Sequence, residues 1–161
     1  MTRILFVLWL SLSSFGALSA QEVFNYVFEG ASRVVNNPSS SYTTLRIAQF
    51  KLTALTYLQS KAFETREQVT EDFLNTQAYY MNEFVTSFVA LFVDEKLARE
   101  PEELKKRILL YTDASLSNPL FGDTDKETTL SYIGDSESLT PFSLDTDWEK
   151  ACAAVKFALA Q

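Results

Sequence analysis

The chain has 161 residues, no histidine, one cysteine and a formal net charge of −7 at pH 7. The absence of histidine excludes the usual Ser-His-Asp and Cys-His catalytic groups, and the single cysteine in addition excludes a zinc site of the histidine–cysteine type. The acidic balance disfavours a nucleic-acid partner, because proteins bind nucleic acid through clustered lysine and arginine that neutralise phosphates.

Residues 1–20 have the organisation of a secretory signal peptide: a positively charged start, a short apolar run at residues 4–10 and small residues at the end. Serines and a glycine interrupt the apolar run well before the roughly 20 apolar residues that a membrane-spanning helix needs. We therefore predict cleavage near Ser19 or Ala20 and export to the periplasm or the cell exterior. The mature chain, residues 21–161, is predicted to be a single helical domain without a membrane span.

Cys152 is the one cysteine, so no internal disulfide can form. It lies among alanines and a valine on the apolar face of a predicted helix, and we expect a small, buried and unreactive side chain. A mature chain of this length can bury enough surface to fold without disulfides or metal. An exported chain without a disulfide set is typical of a bacterial envelope rather than of an animal secretory route.

Apolar residues recur at intervals of three and four along two segments, which predicts two amphipathic helices at the start of the mature chain. The first covers residues 22–36 and ends before Pro38, whose ring disfavours helical geometry in the preceding residue. The second covers about residues 43–63 and is polar only along a narrow stripe, so we expect it to lie at the centre of the fold. The polar stripe comprises Arg46, Gln49, Thr53, Thr56 and Ser60.

The middle of the chain predicts two further helices. A capping box at residues 65–68 indicates the start of a long helix that reaches about Lys96, and whether it breaks near Asn75 stays open. Pro101 opens the next helix, because proline is tolerated in the first turn and the acidic residues beside it oppose the positive end of the helix dipole. Pro119 ends that helix.

The last part of the chain predicts two helices joined by an irregular strap. A capping box at residues 124–127 opens a short helix that continues through Tyr132. Residues 135–144 form the strap, where Pro141 disfavours an interior strand, and another capping box at residues 146–149 opens the last helix. The predicted fold class is all-α, a single antiparallel helical bundle of about five to six helices with an irregular strap before the last helix.

Carboxylates are the remaining candidates for acid and base catalysis. Asp72, Glu83 and Asp94 are spaced by eleven residues and line one stripe of a predicted helix. Two carboxylates across a cleft can hydrolyse glycosidic bonds, so a carboxylate-dependent hydrolase acting on glycans is one hypothesis. The neighbours of this stripe are small and polar, however, and a solvated helix face explains it better. We assign no catalytic residue.

Asp123, Asp125 and Glu127 occupy alternate positions, as in the first half of a calcium-binding loop. Thr128 stands where such a loop requires glycine, and Gly134 stands where it requires a bidentate glutamate. Helix capping explains these acidic residues better, and whether they bind a cation stays open. We therefore predict no metal site, and the glycines of the chain form no phosphate-binding pattern that would indicate a cofactor.

Most aromatic residues fall on the apolar stripes of predicted helices, and we expect them in the core. Tyr79 is the exception, because it faces away from Phe73, Tyr80 and Phe84 on the same helix. An exposed tyrosine could stack on a sugar or a peptide, although isolated surface aromatics are common. The partner is predicted to be an unidentified protein or glycan, and the ligand-binding residues stay unknown.

Four segments together resemble small exported proteins of unknown function from Bacteroidetes-type bacteria. The segments are AQFK at 48–51, QAYYM at 77–81, SLSNPLF at 115–121 and FSLDTDWEKA at 142–151. The resemblance covers most of the mature chain and implies a bacterial source and export, but no activity, ligand or catalytic residue. With the usual catalytic groups missing, we favour a non-enzymatic binding or structural module of the bacterial envelope, with the glycan hydrolase as the alternative.

Overall fold

Five α-helices make up most of the fold in residues 20–64, 70–123, 128–132 and 139–161, which are the residues that the computed structural model describes. Their order is α1 (Ala20–Val35), α2 (Tyr42–Glu64), α3 (Glu71–Val93), α4 (Pro101–Leu116) and α5 (Trp148–Leu159). A 3-10 turn precedes α4, at Leu97–Arg99, and two strands precede α5, β1 (Thr128–Tyr132) and β2 (Leu139–Ser143). The predicted all-α helical bundle is confirmed. The predicted signal peptide lies outside the described residues, apart from Ala20 at the start of α1.

The third helix starts where a threonine caps it. The Thr70 hydroxyl accepts the backbone N–H of Phe73 at 3.2 Å and so satisfies a free donor of the first turn of α3. The capping box predicted at residues 65–68 lies outside the described residues. α3 continues through Asn75 without a break, and the amide oxygen of Asn75 accepts the backbone N–H of Phe24 at 2.8 Å. This polar residue therefore connects α3 to α1 rather than interrupting α3.

The last two helices start close to the predicted positions. Pro101 occupies the first turn of α4, as expected for a residue that has no N–H to leave unsatisfied. Asp147, not the predicted Thr146, caps α5, and its carboxylate accepts the backbone N–H of Lys150 at 3.2 Å. The Thr146 hydroxyl donates instead to the Ser143 carbonyl at 2.6 Å, so Thr146 does not cap α5.

The short helix predicted before the strap is wrong within the described residues, because Thr128–Tyr132 forms strand β1. β1 pairs antiparallel with β2, with Thr128 opposite Ser143 and Tyr132 opposite Leu139. The threonines and tyrosine of β1 favour strand geometry. Pro141 is tolerated in β2 because each strand of a two-stranded ribbon has a free edge where no N–H is needed. Of the predicted strap, the described residues 139–143 form β2, and residue 144 begins the irregular segment that leads to α5.

α3, rather than the expected α2, is the central helix, because it packs against α1, α2, α4 and α5. Edge-to-face ring contacts join it to the last part of the chain, with centroid distances of 4.9 Å for Phe88 and Phe142 and 5.4 Å for Phe84 and Trp148. Such pairs add about 0.5–1.5 kcal/mol each beyond their buried area. Among the described helices, none has both the length and the apolar character needed to cross a membrane.

Candidate functional site

The three carboxylates on which the hydrolase hypothesis rests, Asp72, Glu83 and Asp94, do not come together in the structure. Asp72 and Glu83 are exposed on the continuous helix α3, and eleven residues correspond to about 16 Å along a helix. Asp94 lies at the end of α3, where its carboxylate accepts the backbone N–H groups of Lys96 at 2.8 Å and Leu97 at 3.2 Å. Two carboxylates that act on one glycosidic bond stand about 5–10 Å apart, so neighbours along this stripe are too distant to cooperate.

Asp72 does share an open depression with Glu149, at the contact between α3 and α5. Tyr79 lines the same depression, is 45% exposed as predicted, and packs edge-on against Tyr80 at a centroid distance of 5.2 Å. Both carboxylates are exposed to solvent. The acid of a glycosidase lies in an enclosed, apolar pocket, whereas this depression is open to solvent. The depression can offer contacts to a ligand, but not this kind of acid catalysis.

The proposed calcium loop falls mostly outside the described residues, which include Asp123 but neither Asp125 nor Glu127. The carboxylate of Asp123 pairs with the ammonium of Lys61 at 3.2 Å and accepts the hydroxyl of Tyr57 at 3.4 Å. Burial and the carboxylates of Asp145 and Asp123 raise the pKa of Tyr57, so the hydroxyl stays protonated as a donor. Within the described residues, no three acidic, histidine or cysteine side chains cluster closely enough to hold a metal.

Asp145 organises the turn that follows α4. It is 2% exposed, and its two carboxylate oxygens accept the backbone N–H groups of Phe121 at 2.8 Å and Asp123 at 2.7 Å. Two backbone bonds complete the attachment, from Leu120 N to the Asp145 carbonyl at 3.3 Å and from Asp147 N to the Asn118 carbonyl at 2.7 Å. Both oxygens of the carboxylate are thus engaged by the backbone, and residues 118–123 are fixed to the start of α5.

Two further buried polar pairs hold the same region. The hydroxyls of Ser115 and Thr146 lie 2.9 Å apart, and Ser115 also accepts the backbone N–H of Ser143 at 3.0 Å. The Gln77 side chain donates to the Asp147 carboxylate at 3.2 Å and accepts the backbone N–H of Trp148 at 2.8 Å. Buried polar groups are stable only when they are hydrogen-bonded, and these groups satisfy one another. The segments at 77–81, 115–121 and 142–151 therefore meet in a structural network rather than in a catalytic site.

A groove of about 250 Å³ between α1 and α2 has a different character. Its apolar lining comprises Val27, Ala31, Val34, Ile47 and Ala48. Its polar lining comprises Tyr26, Arg33, Thr44 and Lys51, with Asn82 contributed by α3. An apolar concave surface with a few polar groups is the usual composition of a small-molecule site, although this groove is smaller than the roughly 300–1,000 Å³ typical of drug-sized ligands.

Lys51 is the one partly buried cation in the lining of this groove. Its ammonium donates to the amide oxygen of Asn82 at 2.7 Å and forms no ion pair with any described carboxylate. Burial lowers the pKa of Lys51, and the opposing influence of the Glu83 carboxylate is smaller. A charge that is taken out of water and bound only by a neutral amide is incompletely compensated. This ammonium can therefore receive an anion that enters the groove.

Gly30 keeps the groove open on the α1 side. A Cβ built at this position meets no atom within 4 Å, so neither close packing nor a left-handed backbone requires glycine there. Glycine inside a helix costs roughly 0.5–1 kcal/mol relative to alanine. The residue is therefore unfavourable for α1 and leaves space in the groove.

Comparisons of the chain with protein-family models, with curated proteins and with solved structures find no match. The groove is thus supported by its geometry alone, and sequence reasoning missed it. Two signals were present: Lys51 is a cation outside the polar stripe of its helix, and Gly30 interrupts a helical segment. Neither signal shows which helices are neighbours, so the groove could not be predicted from them.

Cys152 is buried, as predicted, and its thiol donates to the Tyr80 carbonyl at 3.3 Å. Burial raises the pKa of this thiol to about 11, and the influences of Lys156 and Glu83 are smaller. Because the thiolate is the reactive form, Cys152 is poorly suited to nucleophilic chemistry at neutral pH.

Proposed function

We propose that the protein is an exported, non-enzymatic binding module of the bacterial envelope, and that it binds a small ligand in the groove between α1 and α2. The observation that carries this proposal is the combination of an apolar lining with the Lys51 ammonium, which forms no ion pair with a described carboxylate. The order of charged, apolar and small residues in positions 1–20 supports export.

The chemistry of the groove favours binding over catalysis. Its lining contains an ammonium, a guanidinium, an amide, a hydroxyl and a phenol, but no described carboxylate or histidine that could act as a general base. Such groups can hold and orient a ligand. The carboxylates of Asp72 and Glu149 are exposed in the separate depression and lack the enclosed pocket that glycan hydrolysis needs. We therefore do not propose a hydrolase.

Export is tested by producing the full chain with a C-terminal tag in a Bacteroidetes-type host and separating cytoplasm, envelope and medium. We expect the protein in the envelope or the medium, with an N-terminus at Ala20 or Gln21 by terminal sequencing. Recovery of the protein in the cytoplasm with Met1 still present would contradict export.

Binding is tested by a thermal-shift screen of small apolar ligands, each followed by titration. A ligand at 100 times its Kd stabilises the folded state by about 2.7 kcal/mol. Gly30→Phe fills the groove and should abolish this stabilisation. The matched control is Asn25→Phe, which places the same ring on an exposed position of α1 outside the groove. Ligands whose effect survives Gly30→Phe do not bind in the groove, and a screen that finds only such ligands refutes the proposed site.

A further inference from the structure

The groove between α1 and α2 has two unlike ends. The helices are neighbours joined by the short connection 36–41, so they run antiparallel. Val27 on α1 and Lys51 on α2 consequently line one end, and Val34 and Thr44 line the other. Val34 follows Val27 by seven residues on α1, and Lys51 follows Thr44 by seven residues on α2. This spacing gives the groove a length of about 10 Å.

The end at Lys51 presents two sets of N–H donors side by side. The ammonium has three N–H groups, and the Asn82 amide oxygen accepts one of them. The same hydrogen bond directs the amide oxygen of Asn82 towards Lys51, and its NH2 group donates to no described residue. The ammonium and this NH2 group can each donate to one oxygen of a bound anion.

Beyond the ammonium the groove wall is apolar, apart from Thr44 and the exposed Arg33 towards the other end. Val27, Ala31, Ile47 and Ala48 form its wall beyond the ammonium, and the volume of about 250 Å³ limits the ligand to a small molecule. A phosphate brings nearly two negative charges and three strong acceptor oxygens, which exceed what one ammonium and one amide can satisfy. A carboxylate brings one charge and two oxygens, which these two donors match.

We propose that the groove binds a small monocarboxylate with an apolar chain, such as a medium-chain fatty acid. The carboxylate lies at Lys51 and Asn82, and the chain runs along α1 and α2 towards Thr44. This proposal rests on the proposed function, because it names the class of ligand that the same groove takes. An extended eight-carbon chain is roughly 9 Å long between its end carbons, because its carbon–carbon bonds of about 1.5 Å zigzag, so octanoate fits the length of the groove.

The experiment compares three ligands with one alkyl chain by isothermal titration calorimetry on the purified protein. Octanoate carries the proposed head group, 1-octanol is its uncharged counterpart, and octylammonium carries the opposite charge. We expect octanoate to bind most tightly, 1-octanol to bind more weakly and octylammonium to be rejected, because a second ammonium would approach that of Lys51.

Two substitutions test the head-group contact in different ways. Lys51→Met keeps an apolar side chain of similar length but removes the charge, and should weaken octanoate binding roughly ten- to hundredfold while leaving 1-octanol unchanged. Asn82→Asp keeps Lys51 but places a carboxylate within reach of its ammonium. This internal anion competes with the ligand and should also reduce octanoate binding selectively, so the result does not depend on Lys51→Met folding normally.

The outcomes separate this proposal from the proposed function. If octanoate and 1-octanol bind equally and neither substitution changes their ratio, the carboxylate preference is refuted, although loss of both in Gly30→Phe still supports the groove. If none of the three binds, the fatty-acid class is refuted while the ligand screen on the groove stands or falls separately. If octanoate binds undiminished to Gly30→Phe, both proposals fail, because the site lies elsewhere.

Discussion

Replacing Asp145 by asparagine tests how the turn after α4 is held. The side chain is 2% exposed, and each carboxylate oxygen accepts one backbone N–H, from Phe121 at 2.8 Å and from Asp123 at 2.7 Å. Asparagine has the same shape but only one acceptor oxygen. In either orientation of the new amide, one of the two N–H groups faces an NH2 group and loses its acceptor.

The size of the effect follows from these two bonds. A buried donor left without an acceptor costs about 1–3 kcal/mol, and the remaining hydrogen bond weakens by about 1 kcal/mol because its acceptor is no longer charged. We therefore expect Asp145→Asn to lower the free energy of unfolding by about 2–4 kcal/mol. A typical domain is stable by only about 5–15 kcal/mol, so this loss is a large fraction of the total.

The assay is urea-induced unfolding followed by far-ultraviolet circular dichroism. Asp113→Asn is the matched control, because it makes the same chemical change on an exposed position of α4 and should shift stability by less than about 0.5 kcal/mol. If Asp145→Asn falls within the same range as this control, the carboxylate does not hold the turn and the reasoning is refuted.

Three smaller predictions concern other positions. Gly30→Ala should raise the free energy of unfolding in urea by about 0.5–1 kcal/mol, since its Cβ meets no atom within 4 Å. Burial opposes the ionisation of Asp147, but hydrogen bonds from Lys150 and Gln77 outweigh it and lower its pKa below 3.8. Its charge therefore stabilises the fold above pH 3.8 and stops doing so as the pH falls through the lowered pKa, so Asp147→Asn should destabilise more in unfolding measurements near neutral pH than at about pH 3. Cys152 should react with a chromogenic disulfide reagent slowly in the folded protein and rapidly in urea, because burial raises its pKa to about 11.

The helices were predictable because their signals are local. The apolar periodicity of α1 and α2 and the proline at the start of α4 need no knowledge of distant residues. The strand β1 was missed because its stability comes from pairing with β2. The local signal, a capping-box pattern at 124–127, instead predicted a helix. The central position of α3 was missed for a similar reason: a wide apolar surface shows that a helix is buried, but not which helices surround it.

The candidate site was less predictable than the fold. Sequence reasoning concentrated on carboxylates. The most buried of the described carboxylates, Asp145, instead holds the turn that follows α4. Its position between Phe121 and Asp123 depends on a contact across more than twenty residues, which spacing cannot reveal. In the sequence, Lys51 stands out only as a cation outside the polar stripe of its helix. Its role in the groove depends on the hydrogen bond to Asn82 of α3.

The contrast between Asp145 and Lys51 separates groups that serve the fold from a group that is open to binding. Each oxygen of the buried carboxylate accepts a backbone N–H, and a ligand would have to displace those bonds to reach it. The ammonium of Lys51 has one described partner, a neutral amide, and lies beside a groove that Gly30 leaves open. A polar group whose burial is incompletely compensated lowers stability, and proteins commonly retain such groups where function needs them. The groove therefore contains two features that are unfavourable for the fold, and the proposed ligand binding would give a common reason for both.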